Sequence, residues 1–290
     1  MVRNWHMDNA YRAREVEPGI WQIRDVLDDR AYLVVGERAA ALVDTCAGYG
    51  DVSAVVRGMV DLPLTVLLTH SHYDHVGGAY FFDEVGIAAQ DDGEWDAERA
   101  LALEAYPKLV KRGEFVADVP FGPRDGCAPR VSHVSEGDVL DLGGLTIEAV
   151  ALPGHTPGSM GYLVRERRVL LSGDAVTPVM CLFFERSLGI DKYRTTLAKM
   201  SELPFDSFYT GHHDVPFARE ELASFDACAE FAKADRGITW RHMLISEFEG
   251  TIHLAPCKTD DVDSPDFRAL IGPYVPRPRR KISRRGASPR

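Results

Sequence analysis

Short apolar runs alternate with polar, glycine-bearing turns along this chain, and that rhythm predicts strands first. Ile20-Trp21-Gln22-Ile23, Ala31-Tyr32-Leu33-Val34-Val35 and Ala40-Ala41-Leu42-Val43 read as successive strands, the last two joined by a hairpin turn at Gly36-Glu37-Arg38. Residues 1–17, polar and mixed, read as an N-terminal arm or first edge strand. Gly48-Tyr49-Gly50 breaks the chain, and Asp51 then opens a helix with Val52, Val55, Val56 and Met59 at helical spacing. Leu64 to Leu68 is a continuous apolar run, the mark of a buried strand. Beyond it Val76, Tyr80 and Phe81 continue a helical stripe that starts near Asp74.

Residues 91–130 are the least regular stretch. They read as an insertion, a lid or a surface excursion, with a helix over 95–110 and a proline- and glycine-bearing loop over 117–130. Strand-like runs return at 139–140, 145–152, 160–164, 169–171 and 208–210. Helical stripes run through Tyr193, Leu197, Met200 and Leu203, and through Leu222, Phe225, Ala229 and Ala232. Val179-Met180-Cys181-Leu182-Phe183-Phe184 reads equally as core or as a pocket wall. As a wall, its Met and two Phe side chains favour an apolar acyl or aromatic substrate. The domain spans 18–255, and 256–290 is a C-terminal extension. Its last stretch, 273–290, holds four prolines and seven Lys or Arg with almost nothing apolar, a disordered-type tail.

Composition narrows the partners. The chain has 290 residues, 45% hydrophobic and 27% charged, ordinary for a soluble globular protein with a core that needs no staples. A net charge of −11 argues against binding nucleic acid by general electrostatics, so the basic tail reads as a solvated terminus, with nucleic acid the minority reading. Cys46, Cys127, Cys181, Cys228 and Cys257 are odd in number, widely spaced and form no C-x-x-C pair, which points to a reducing compartment. The N-terminal residues lack the apolar stretch of a signal peptide, and no run is long enough to cross a membrane. The expectation is a cytoplasmic protein with no membrane partner. Assembly into a homo-oligomer stays open.

The chemistry gathers at strand ends. His70-Ser71-His72-Tyr73-Asp74-His75 puts three imidazoles and a carboxylate directly after a buried strand, and Gly77-Gly78 follows. Burying such groups is costly unless a cation pairs with them. His155, in Pro153-Gly154-His155-Thr156-Pro157-Gly158, follows the strand at 145–152. Asp174 follows 169–171, and His212 follows 208–210. Glycine beside each of these lets the backbone turn and lets another group approach closely. Five imidazoles and two carboxylates suffice for two divalent ions with positions left for water and substrate. Neutral imidazole and carboxylate suit zinc, iron or manganese, with zinc first. His213 reads as a supporting, pocket or exposed residue. His6, His133, His242 and His253 lack a partner motif and read as structural.

On these residues the chain resembles the metallo-β-lactamase-fold superfamily, in its hydroxyacylglutathione hydrolase and lactonase-like branch. His70-x-His72-x-Asp74-His75 matches the H-x-H-x-D-H signature. Pro153 to Ser159, Ser172-Gly173-Asp174 and Gly211-His212 match the later ligand loops, in order, over roughly residues 18–235. The resemblance implies an α/β fold: a four-layer αβ/βα sandwich of two mixed β-sheets flanked by helices. It implies that His70, His72 and His155 bind one metal ion, that Asp74, His75 and His212 bind a second, and that Asp174 bridges them. Asp44 looks like the family's supporting aspartate. The implied nucleophile is a bridging hydroxide, oriented by Asp74 as the catalytic residue.

The expected function is therefore a dinuclear metal-dependent hydrolase acting on a small-molecule ester, thioester or lactone. Hydroxyacylglutathione hydrolases use this chemistry, but no C-terminal helical domain with basic and tyrosine residues to hold glutathione is visible. A true β-lactamase carries another residue type where Asp174 stands. The alternatives are a phosphodiesterase or nuclease of the same fold, without a large inserted nucleic-acid domain, and a mononuclear iron persulfide dioxygenase-like oxidoreductase. A non-enzymatic binding module would have lost ligands, and none is lost here.

Overall fold

The computed structural model describes residues 6, 7, 10–93, 97, 98, 100, 101, 103–105, 108, 128–242, 248–257, 259–262 and 264–273. The helix expected over 95–110 is helical wherever residues are described. The loop over 117–130 apart from its last three residues, most of the 91–130 insertion and the basic tail beyond 273 lie outside the described residues.

Two mixed sheets and a smaller third sheet organise the chain. The first runs, in spatial order, β1 (His6–Met7), β2 (Tyr11–Glu17), β3 (Ile20–Asp25), β4 (Arg30–Val35), β5 (Ala40–Val43), β6 (Leu64–Leu67), β7 (Glu84–Ile87) and β8 (Arg130–His133). Strands β1 to β5 form an antiparallel meander, and β5 to β8 pair in parallel. The second sheet takes β9 (Val139–Asp141), β10 (Thr146–Ala151), β11 (Met160–Val164), β12 (Val169–Gly173), β14 (Ser207–Thr210) and β15 (Phe217–Ala218), in the order β15-β14-β12-β11-β10-β9. Here only β12 and β14 are parallel. The third sheet, β13 (Val179–Cys181), β18 (Ala269–Pro273), β17 (Glu249–Leu254) and β16 (Ile238–Arg241), is not anticipated by the sequence pattern. Its strands are short and flanked by polar or proline-bearing segments, so their alternation carries little signal.

The layers follow from which side chains alternate where. Tyr32, Val34, Ala41 and Val43 of the first sheet meet Ile147, Tyr162, Val164, Val169 and Leu171 of the second in one buried cluster. The opposite face of the first sheet, Ile23, Leu33, Leu42 and Val66, packs under α1 (Val52–Met59) through Val52 and Val56. The opposite face of the second sheet, Leu163, Leu170 and Phe208, packs under α3 (Gly189–Glu202) and α4 (Leu222–Ala234) through Tyr193, Leu197, Phe225 and Ala229. Strands apolar on both faces are the reason these segments read as continuous runs rather than alternating ones. The αβ/βα sandwich expected from the resemblance is the observed architecture. Asp51 caps α1 by accepting the Ala54 N–H at 3.0 Å, as its position before the apolar stripe predicts. The stripe from Asp74 forms a single α turn, α2 (Tyr73–Val76), continued as a 3₁₀ turn over Gly77–Phe81.

Both sheets present strand ends to one edge, and hydrogen bonds stitch them there. The Tyr162 hydroxyl donates to the Leu68 carbonyl at 2.8 Å, and Tyr32 donates to the Thr210 carbonyl at 2.7 Å. The Arg30 N–H donates to the Gly211 carbonyl at 2.9 Å. Among the described residues no helix is long and apolar enough to cross a membrane.

Candidate metal centre

Five strand ends and the loops after them converge on this edge. Asp44 ends β5, the loop after β6 carries His70 to His75, and His155 follows β10. Asp174 follows β12, and His212 follows β14. The side chains fall into two donor groups: His70, His72 and His155, and Asp74, His75, Asp174 and His212. Within each group, ligand atoms lie within 4.8 Å of one another. All seven residues named from the sequence are thus brought together, with Asp174 grouped with Asp74, His75 and His212. Asp174 sits between the groups, with Oδ2 3.0 Å from His212 Nε2 and 3.9 Å from His155 Nε2, and Oδ1 3.4 Å from His75 Nε2.

Polar partners on the far side of four of the five rings fix which nitrogen faces the cluster. His155 Nδ1 donates to the Cys181 carbonyl at 2.7 Å, so its Nε2 carries a lone pair. Thr69 Oγ1 spends its proton on Asp44 Oδ2 at 2.8 Å and accepts from His70 Nδ1 at 3.0 Å, which bares His70 Nε2. Asp44 Oδ2 also accepts from His75 Nδ1 at 2.8 Å. Asp29 Oδ1 lies 3.3 Å from His212 Nδ1, leaving His212 Nε2 to face Asp174. The bare nitrogens of His70 and His155 both face His72 Nδ1, which is 3.1 Å from His70 Nε2 and 2.8 Å from His155 Nε2. Lone pairs aimed at one point repel unless a cation sits among them. His75 Nε2 and Asp174 Oδ1, which face each other inside the cluster, are buried without any hydrogen-bond partner, which is costly. The donor set therefore fits divalent ions of the imidazole–carboxylate class.

The two groups differ in charge. Burial first, then repulsion among the rings, holds His70 and His72 well below the usual imidazole range, and burial lowers His155 too, so this group is neutral and ready to donate. Burial opposes charge on His75 and His212 as well, but the carboxylates of Asp44, Asp174 and Asp74 around the former, and of Asp174 and Asp29 around the latter, win and raise both. Burial pushes Asp74 up to about 6. Loading this second group with a cation therefore releases protons.

Several supporting residues carry no sequence signal. Asp29 holds His212, and Asp91, fully buried, accepts from Thr156 Oγ1 at 2.6 Å and from the Gly158 N–H at 2.8 Å, shaping the His155 loop. Thr69 links Asp44 to His70. Asp44, expected as a support, accepts three hydrogen bonds and is 1% exposed. His213 lines the cavity, and burial pushes its pKa down to about 4. His133 pairs with Asp92 on the surface, and His253 contacts Asp235. His242, expected to be structural, instead lines the cavity.

Gly211 shows how closely these groups approach. A Cβ there would lie 2.5 Å from Asp174 Oδ1 and 2.5 Å from His75 Cε1. Gly211→Ala is accordingly expected to displace both side chains and to lower activity by about a hundredfold. Elemental analysis should show reduced metal content alongside it.

His72, Asp74, His155, Asp174 and His212 form the floor of a cavity of about 820 Å³. One wall is ionic: Arg24 and Arg30 pair with Asp28 and Asp214. The other is apolar, and resolves the two readings of residues 179–184 by alternation. Val179, Cys181 and Phe183 face the cavity while Met180 and Leu182 enter the core.

A strand-end cluster of this composition on an αβ/βα sandwich defines a metal-binding α/β protein. Residues 25–214 match the family model of the metallo-beta-lactamase superfamily, and the chain belongs to that superfamily. It is 32% identical over 146 residues to the hydroxyacylglutathione hydrolase GloC of Haemophilus influenzae, an alignment covering 48% of this chain and 62% of that one. It is 31% identical over 155 residues to the acyl-coenzyme A thioesterase MBLAC2 of Gallus gallus, covering 49% and 52%. The chain thus spans less than two thirds of the length of these curated relatives. Among solved structures, a metallo-beta-lactamase family protein from Thermus thermophilus superposes with a TM-score of 0.52 at 22% identity, covering 73% of this chain and 80% of that one. A stereoselective inverting sec-alkylsulfatase from Pseudomonas sp. gives 0.57 at 19% identity, covering 76% and 41%. These two likenesses concern the fold alone.

Proposed function

We propose that the protein is a dinuclear metal-dependent hydrolase of small-molecule esters, thioesters or lactones. One observation carries the reading: two donor groups adjoin across Asp174, at the floor of an open cavity, with His75 Nε2 and Asp174 Oδ1 buried and unpartnered. The relatives named for hydroxyacylglutathione and acyl-coenzyme A thioester hydrolysis support a carbonyl substrate. Bound divalent ions, zinc first among them, would supply an acidified water and polarise the carbonyl. His70, His72 and His155 would hold one ion, Asp74, His75 and His212 the other, and Asp174 both. Asp74 lines the cavity, where it would orient the attacking water and accept its proton. Asp44 and Asp29 keep His75 and His212 in the tautomer that leaves Nε2 free. A thiolate or alkoxide leaving group needs no separate acid.

The test is elemental analysis of the purified protein, followed by a panel of esters, thioesters and lactones. Two zinc ions per chain with turnover on the panel are expected, and His72→Ala should lose both turnover and metal. One iron per chain with oxygen consumption on a persulfide would replace this reading with an oxidoreductase.

A further inference from the structure

We propose that Trp240 and Phe248 are specificity-determining residues, which hold the apolar half of the substrate on the His72 side of the donor cluster. The inference rests on the hydrolase reading and adds the side chains that choose the substrate. Trp240 lies on β16, and Phe248 directly precedes β17. From His72 outward the rings form a continuous series. Phe184 tilts over the His72 imidazole at 4.2 Å between centroids and stacks on Phe183 at 4.1 Å. Trp240 reaches Phe183 at 5.0 Å, and Phe248 meets Phe184 edge-on at 5.2 Å.

These rings are a wall, not a core. All four are only half-buried and line the cavity, whereas Met180 and Leu182 on the same segment are 2% and 1% exposed. Gly250 faces Trp240 across the β16–β17 pairing and makes room for the arrangement: a Cβ there would lie 3.2 Å from Phe183 Cβ. Aromatic surface left against water carries a free-energy cost that an apolar ligand group recovers. The opposite wall, toward His212 and Asp214, is ionic and offers no such gain. A substrate with one apolar and one polar half therefore has a single favourable orientation across the donor cluster.

The experiment compares the zinc-loaded wild type with Trp240→Ala, Trp240→Phe and Phe248→Ala on two thioester series. One lengthens the acyl group from acetyl to hexanoyl on a small polar thiol, and the other keeps acetyl and changes the thiol from ethyl to hexyl. A gain in kcat/KM of about tenfold or more is expected in one series, identifying which half is bound. Trp240→Ala and Phe248→Ala should each shrink that ratio severalfold, and Trp240→Phe should keep most of it. No gain in either series, or a gain undiminished in both alanine variants, overturns the proposal. Calorimetric binding of hexanoate against acetate separates it from the hydrolase reading. If no panel substrate turns over, yet hexanoate binds more tightly and Trp240→Ala removes the difference, the subsite stands and the hydrolase reading fails. If hexanoate shows no advantage in an enzyme that does turn over the panel and gains nothing from chain length, the subsite fails alone.

Discussion

Asp174→Ala should reduce kcat/KM on every responsive ester, thioester or lactone by about a thousandfold or more, the equivalent of roughly 4 kcal/mol of transition-state stabilisation. The two oxygens of Asp174 lie near His155 of the first donor group and near His75 and His212 of the second. Its carboxylate also offsets the positive charge gathered there: burial works to raise its pKa, but His212 and His75 pull it well below the usual range. The same variant should bind fewer than two metal ions. Asp174→Asn tests charge against shape, because the amide fills the space but carries no negative charge. It should behave like the alanine variant. Full activity in either, across the panel, would sink the dinuclear assignment.

Asp44→Ala should act through stability as much as through the site. The residue is buried, and it accepts the Thr69 N–H at 2.7 Å, the Thr69 hydroxyl at 2.8 Å and His75 Nδ1 at 2.8 Å. Removing it leaves a buried imidazole N–H and a backbone N–H without partners, a loss on the order of 3–5 kcal/mol. In a domain of this size that lowers Tm by about 6–15 °C. Affinity for a metal ion at the second donor group should fall by roughly 10- to 100-fold, because His75 is no longer held in the productive tautomer. Asp44 also has φ of 62°, a left-handed conformation that asparagine tolerates and alanine does not. Asp44→Asn should therefore keep more thermal stability than Asp44→Ala. A calorimetric melt together with zinc titration measures both effects, and an unchanged Tm in the alanine variant would remove Asp44 from this role.

The donor residues were legible because each announces itself locally. His70 to His75 crowd one loop after an apolar run, and His155, Asp174 and His212 each sit beside glycine just past a strand. Their supports were not legible. Asp91 lies 65 residues from the Thr156 hydroxyl that it holds, and Asp29 is one of two adjacent aspartates with nothing to distinguish it. Trp240, His242 and Phe248 escaped for the same reason. They sit in a region where short strands leave no clear period, and only the pairing of β13 with β18 and β17 with β18 carries that region to the cavity.

Local pattern in the chain is enough to place most strands of the two large sheets and to gather the seven candidate donor residues at strand ends, and the sandwich class followed from the family resemblance that those motifs carry. Periodicity and strand-end placement are short-range properties that survive without coordinates. Which nitrogen His70, His75, His155 and His212 present was decided only by the tertiary structure, because that depends on Asp44, Asp29 and the Cys181 carbonyl arriving from distant segments, Asp44 acting on His70 through Thr69. The polarity of the cavity was decided in the same way. Its ionic wall joins Arg24, Asp28 and Arg30 to Asp214, and its aromatic wall joins Phe183 and Phe184 to Trp240 and Phe248, pairings across long stretches of chain that no local pattern encodes.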